Sequence, residues 1–63
     1  MEQILLTTEE AALYLRLSPH TLTKWRQIEY GPKYITLGER AVRYRVEDLN
    51  DYINSSIKQE QAK

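Results

Sequence analysis

The sequence predicts a small, mainly α-helical fold that carries one β-hairpin, in the order helix, short turn, helix, two-stranded hairpin, helix. Two helix-start signals lie so close together that only a tight turn can join the helices they begin. After Gly31-Pro32 the sequence takes on the two-residue period of strands. The chain has 63 residues, enough for one small core, because a chain of this size buries only about 60% of the surface that its unfolded form exposes.

Composition narrows the functions open to this chain. Apolar residues make up 41% and charged residues 29%, and no apolar run approaches the roughly 20 residues that span a bilayer, so we expect a soluble cytoplasmic protein with no membrane partner. There is no cysteine and His20 is the single histidine, so no disulfide and no metal site is expected. Without a thiol nucleophile, a glycine-rich phosphate loop or a second histidine, we expect neither an enzyme nor a site for a cofactor or small-molecule ligand.

A formal net charge of zero conceals an uneven distribution along the chain. Residues 16–45 contain seven basic and two acidic side chains, whereas residues 1–15 contain three acidic side chains and no basic one. Residues 46–63 contain four acidic and two basic side chains. A basic segment of this kind is typical of a surface that binds a polyanion, the alternative being an ordinary solvated face.

The first helix is predicted to begin at Thr8. Thr7 and Glu10 have the spacing of a capping box, and acidic residues in the first turn suit the positive end of the helix dipole. Leu13 falls on the face opposite the apolar stripe, where it is either covered by another element or exposed. The predicted inward stripe comprises Thr8, Ala11, Ala12 and Leu15.

A second helix is predicted to begin after Ser18, a preferred N-cap, with Pro19 at the first helical position, where its missing N–H costs nothing. Leu22 and Trp25 lie on its core side. The opposite face carries donors and acceptors of the kinds that meet base edges and phosphates in the major groove. Helix surfaces are ordinarily polar, but the short turn and the basic segment favour recognition over that alternative. The outward face comprises His20, Thr23, Lys24 and Gln27.

The next elements are predicted to be two short strands, residues 34–37 and 42–45, joined by a turn at residues 38–40. On the second strand apolar side chains alternate with arginines, so one face is core and the other is cationic. A two-stranded hairpin is unstable alone in water, so its apolar side is expected to rest on the helices, which directs the arginines outward. We call this hairpin the wing. Its inward residues are Val42 and Tyr44, its outward residues are Arg43 and Arg45, and Arg40 lies at its tip.

A third helix is predicted to begin near Val46, where Glu47 and Asp48 suit the positive end of the helix dipole. No apolar stripe continues beyond residue 57, so we expect one domain over residues 1–57 and a disordered tail over residues 58–63. The inward stripe of this helix comprises Leu49, Tyr52, Ile53 and Ser56.

Several segments share the residues and spacing of a known family. They are LLTTEEAA at 5–12, Leu15, SPHTL at 18–22, KWR at 24–26, GPKY at 31–34, LG at 37–38, VRYR at 42–45 and Asp48-Leu49. Together they resemble the excisionase/AlpA-type helix-turn-helix domain, part of the MerR-like winged-helix group. The resemblance covers roughly residues 5–53 and depends on the combined spacing. It implies a winged helix-turn-helix fold, with a helix-turn-helix, a two-stranded wing and a C-terminal helix.

The resemblance also implies sequence-specific binding of double-stranded DNA by a bacterial or phage-encoded protein associated with the nucleoid. Such domains act as small transcription regulators or as excisionases, which bend DNA so that an integrase excises rather than inserts. The second helix would enter the major groove, and the wing would meet the backbone or the minor groove. His20 stands where the family often has a basic residue and Thr23 where it often has an aromatic one, so the bases read are expected to differ. The implied DNA-binding residues are His20, Thr21, Thr23, Lys24, Arg26, Gln27, Arg40, Arg43 and Arg45.

Other functions remain as alternatives. The chief rival is a protein-interaction adaptor that uses the same basic face to dock an acidic partner; binding to random duplex DNA that weakens with salt would favour DNA instead. A hydrolase that used Glu9, Glu10 and His20 is disfavoured, because the carboxylates already cap a helix and nothing supplies a pocket. Among DNA-binding roles, the expected further partners are an integrase or a second copy of the chain on an adjacent site.

Overall fold

The computed structural model describes residues 3–57. The predicted tail, residues 58–63, lies outside the described residues. None of the helices within the described range is long and apolar enough to cross a membrane. The predicted order of helix, turn, helix, hairpin and helix is confirmed. In chain order the elements are β1 (Leu5–Leu6), α1 (Thr8–Leu15), α2 (Pro19–Gln27), β2 (Ile35–Leu37), β3 (Ala41–Arg45) and α3 (Val46–Ser55).

Side-chain caps define the starts of the first two helices, as predicted. The Thr7 hydroxyl accepts from the Glu10 N–H at 3.1 Å, and the Thr7 N–H donates to the Glu10 carboxylate at 2.9 Å, which completes a capping box. The Ser18 hydroxyl accepts from the His20 N–H at 3.1 Å. Between the helices Arg16 adopts a left-handed conformation with φ 60°, which ends α1 and reverses the chain within three residues. The two helices therefore form a tight helix-turn-helix.

The core draws a buried side chain from both helices of the pair, from the sheet and from α3. Small alanines on α1 allow α2 to pack closely against it, while Leu13 on the opposite face is 73% exposed. Four half-buried apolar side chains, Leu6, Leu15, Trp25 and Val42, pack around the centre. The fully buried residues are Ala11, Ala12, Leu22, Tyr44 and Leu49.

The sheet has three strands where the sequence predicted two. β3 lies in the centre, and β1 and β2 pair with it on either side in antiparallel orientation. Leu5 is opposite Arg45, and Ile35 is opposite Arg43. The additional strand contains only Leu5 and Leu6, which is too short to show a two-residue period in the sequence. It anchors the N-terminal segment to the base of the wing.

α3 follows β3 without an intervening residue. Arg45 is both the last residue of the strand and the N-cap of the helix, and its side chain makes no capping hydrogen bond. The Val46 N–H instead donates to the Ile4 carbonyl at 3.1 Å, so the N-terminal segment supplies a partner for the helix start. The inward stripe is shorter than predicted, because Leu49 is fully buried whereas Ile53 is 39% exposed.

The indole of Trp25 packs at the junction of α2, the following loop and α3, which confirms its predicted place on the core side. The Tyr30 ring meets it edge-on at a centroid distance of 5.0 Å, and the Tyr52 ring lies 5.9 Å away. The helix ends at Gln27, ahead of the Gly31-Pro32 pair that predicted its end. This loop therefore turns tightly around the indole.

Candidate nucleic-acid interface

The outward face of α2 presents polar and basic side chains in one row. His20, Lys24 and Gln27 are exposed, and their spacings of four and three residues place them side by side on the helix. Thr23 is half-buried beside them, and its hydroxyl donates to the Pro19 carbonyl at 3.2 Å. The row offers an imidazole, an ammonium group and an amide, each able to bond a base edge or a phosphate.

The N-terminal end of α2 differs electrostatically from that of the other two helices. α1 and α3 each carry two acidic residues in the first turn, whereas α2 carries none. The partial positive charge of its dipole is therefore not offset by a local acid, and an anion near this end is favoured. Thr21, in the first turn, is half-buried.

On the wing, two of the three predicted arginines form no salt bridge within residues 3–57. Arg40 is exposed in the turn between β2 and β3. Arg43 is half-buried, and one of its terminal nitrogens donates to the Val42 carbonyl at 2.8 Å. That single bond leaves most donors of the guanidinium free to meet an anion.

Arg45, which was predicted to face outward, is paired with an acidic side chain of α3. Its Nε donates to Asp48 Oδ2 at 2.7 Å and its Nη2 to Asp48 Oδ1 at 2.8 Å, a bidentate ion pair. These hydrogen bonds lower the pKa of the Asp48 carboxyl and raise the pKa of Arg45. Asp48 is only 6% exposed, so the arginine satisfies a buried carboxylate. The pair forms because the strand runs directly into the helix and brings the two residues together.

Arg26 also turns inward, although the resemblance placed it among the DNA contacts. Its Nη1 donates to the Tyr44 hydroxyl at 2.9 Å and to Thr8 Oγ1 at 3.1 Å. The side chain is half-buried. It lies outside the outer row of α2 and reaches toward α1 and the sheet.

Among the residues that the structure describes, two exposed cations lie outside the predicted site. Arg16 occupies the turn between α1 and α2, and Lys33 lines a cleft together with Asp48 and Asp51. Both residues belong to the basic segment 16–45, so the sequence could have indicated them as candidate contacts. The internal partner of Arg45 also left a signal, because an acid three residues after a basic residue at a helix start is within reach. Nothing in the sequence indicated that the Tyr44 hydroxyl would bond Arg26, since the alternation of the strand only assigns Tyr44 to the core.

A helix-turn-helix followed by a small antiparallel sheet and a third helix defines the winged helix-turn-helix class. A family model described as a helix-turn-helix domain matches residues 5–56, and the chain belongs to this family, which is of the excisionase/AlpA type. The protein is therefore a DNA-binding helix-turn-helix protein. A comparison with curated proteins found no significant match.

Proposed function

We propose that this protein recognises a specific sequence in double-stranded DNA, with α2 in the major groove and the wing on the backbone or in the minor groove. The observation that carries the proposal is the exposed row of His20, Lys24 and Gln27 on a helix whose positive end has no acidic residue. A helix fits the major groove, where the pattern of donors and acceptors distinguishes all four base pairs. Three polar side chains in a row can read such a pattern.

Phosphate contacts come from a smaller set of cations than the sequence indicated. Arg26 and Arg45 have internal partners, which leaves Lys24, Arg40 and Arg43 of the predicted basic residues. Each phosphate neutralised on duplex DNA contributes about −0.9 to the slope of log affinity against log salt concentration, so we expect a slope on the order of −3. All five predicted cations would give a steeper slope, between about −4 and −5.

The test is a titration of random-sequence duplex DNA at several salt concentrations. Lys24→Ala should weaken binding and make the slope shallower by about one unit. Lys33→Ala removes the same charge from an exposed side chain beside Asp48 and Asp51, and it should leave the slope unchanged. A slope near zero in the wild type would refute the proposal. Absence of binding at low salt, with capture of an acidic protein, would instead support the adaptor.

Within this proposal the protein is either an excisionase or a small transcription regulator. The two roles differ in what happens to the DNA, because an excisionase bends its site to assemble a recombination complex. Energy transfer between fluorophores at the two ends of a short duplex containing the selected site would measure the bend. The excisionase role requires a marked shortening on binding, and an unchanged end-to-end distance would contradict it and favour the regulator.

A further inference from the structure

Arg26 joins three elements of the fold through one side chain. From α2 its guanidinium bonds the Tyr44 hydroxyl on β3 and Thr8 Oγ1 on α1, at 2.9 and 3.1 Å. The guanidinium carbon lies 5.7 Å from the centroid of the Tyr34 ring and 6.0 Å from that of the Tyr44 ring. The two rings are themselves 6.0 Å apart. A planar guanidinium held by two hydroxyls and beside two rings has little freedom to rotate.

The partners of Arg26 are neutral. Within residues 3–57 the salt bridge that forms joins Arg45 to Asp48, and no carboxylate lies within salt-bridge distance of Arg26. A hydroxyl that accepts a hydrogen bond from a guanidinium fixes the orientation of that group but does not neutralise its charge. The contribution of Arg26 in this setting is therefore geometric.

The hydrogen bond from Arg26 to Tyr44 connects α2 and the sheet, two parts of the fold whose main chains pack little against each other. α2 packs on α1, and β3 packs on α1 and α3, but the backbone of α2 has no comparable packing against the sheet. The relative orientation of α2 and the wing therefore depends on side chains that cross between them. Arg26 to Tyr44 is such a crossing, and it connects α2 directly to the central strand of the sheet.

We propose that Arg26 is a positioning residue that sets the orientation of the wing relative to α2. It thereby sets the distance between the outer row of α2 and the wing cations Arg40 and Arg43, which must meet one duplex together. This inference rests on the proposed function, because the orientation matters where both surfaces bind the same DNA. Sites held on rigid, well-supported side chains are the ones that discriminate.

Tyr44→Phe tests the inference by removing one hydroxyl from a residue that does not face DNA. The matched control is Tyr34→Phe, since Tyr34 contributes its ring to Arg26. A preferred motif is first selected by the wild type from a random duplex library. In Tyr44→Phe the ratio of motif affinity to random-duplex affinity should fall about tenfold, the discrimination carried by one good base contact, while the salt slope on random DNA stays unchanged. Tyr34→Phe should keep the wild-type ratio.

Arg26→Lys is the second variant, because it retains the charge and loses the planar fork. It should lose motif discrimination as Tyr44→Phe does. If Arg26 were a phosphate contact, Arg26→Lys would behave nearly as the wild type and Tyr44→Phe would be silent, and this result would overturn the inference.

A measurement without DNA separates this inference from the proposed function. Residual dipolar couplings of backbone amides report the angle between α2 and the wing in the free protein. Tyr44→Phe should change that angle or broaden its distribution, and Tyr34→Phe should not. A wild type that fails to bind duplex DNA would refute the proposed function, whereas unchanged couplings in Tyr44→Phe would refute the role of Arg26 alone.

Discussion

Gly31 is required both by its backbone conformation and by its close contact with Trp25. Its φ of +92° is one that residues with a Cβ rarely adopt, and a Cβ built there would lie 2.6 Å from Cε3 of Trp25. The loop after α2 can approach the indole this closely because glycine has no side chain.

We therefore expect Gly31→Ala to destabilise the protein by more than the roughly 1 to 2 kcal/mol that a left-handed backbone alone costs. Gly38→Ala is the control, since Gly38 has φ +63° but no heavy atom within 4 Å of its built Cβ. Urea denaturation of both variants gives the difference due to the indole contact. Equal losses in the two variants would mean that Trp25 moves aside without cost.

The ion pair of Arg45 with Asp48 predicts a pH dependence of stability. The pKa of Asp48 is lower in the folded protein than in the unfolded chain, where it is about 3.9, chiefly because Arg45 hydrogen-bonds the carboxylate. A lowered folded-state pKa contributes stability that is fully present above the unfolded pKa and is lost as the pH falls through the folded one.

The free energy of unfolding should accordingly fall as the pH decreases from about 5 toward 2, and Asp48→Asn should reduce that dependence. Asp51→Asn removes an exposed acid one turn further along α3, outside this ion pair, and serves as the comparison. Denaturation midpoints measured across this pH range test the expectation. An Asp48→Asn curve parallel to that of the wild type would contradict it.

At the scale of elements, α2 and the wing are expected to divide the work of recognition. His20→Ala should reduce the ratio of motif to random-duplex affinity by roughly fivefold or more, because a helix side chain in the major groove reads base edges. Arg43→Ala should weaken both affinities by similar factors and make the salt slope shallower by about one unit, because phosphate contacts carry no sequence code.

Selection from a random duplex library by the wild type and by Arg43→Ala measures this division. The same preferred motif from both proteins agrees with it. A changed motif would mean that the wing reads sequence, either through base edges or through the width of the minor groove.

The elements differ in how far they could be predicted from the sequence. The starts of α1 and α2 could be predicted because the capping residues, Thr7 with Glu10 and Ser18 with Pro19, lie within one turn of each start. β1 was missed because two leucines carry no period and become a strand only through pairing with β3. Arg26 lies four residues after the buried Leu22, so the helical wheel itself places it near the core side of α2, and its place among the DNA contacts came from the resemblance alone.

At the scale of the whole molecule, the helices and the wing share one core. The buried set draws on α1, α2, β3 and α3, and Tyr44 places the central strand of the sheet within it. Removing any one of these elements would expose the others. A domain of this size with a single core unfolds as one unit.

Urea transitions followed by the fluorescence of Trp25, the single tryptophan, and by far-ultraviolet circular dichroism should therefore coincide. Amide exchange in β3 should report the same free energy of opening as the buried amides of α2. A wing that exchanges at a much lower free energy than α2 would show that the hairpin opens independently.

The pairing of β1 with β3 also constrains the order in which the chain can fold. Leu5 lies opposite Arg45, so the loop closed by this pairing contains both helices of the helix-turn-helix and β2. A chain synthesised only as far as α2 has neither Tyr44 nor Leu49 to cover the alanines of α1, and its two helices would be only marginally stable. The helix-turn-helix must therefore wait for the C-terminal half of the chain, and we expect the slow event in folding to be the closure of a long loop rather than the growth of a helix.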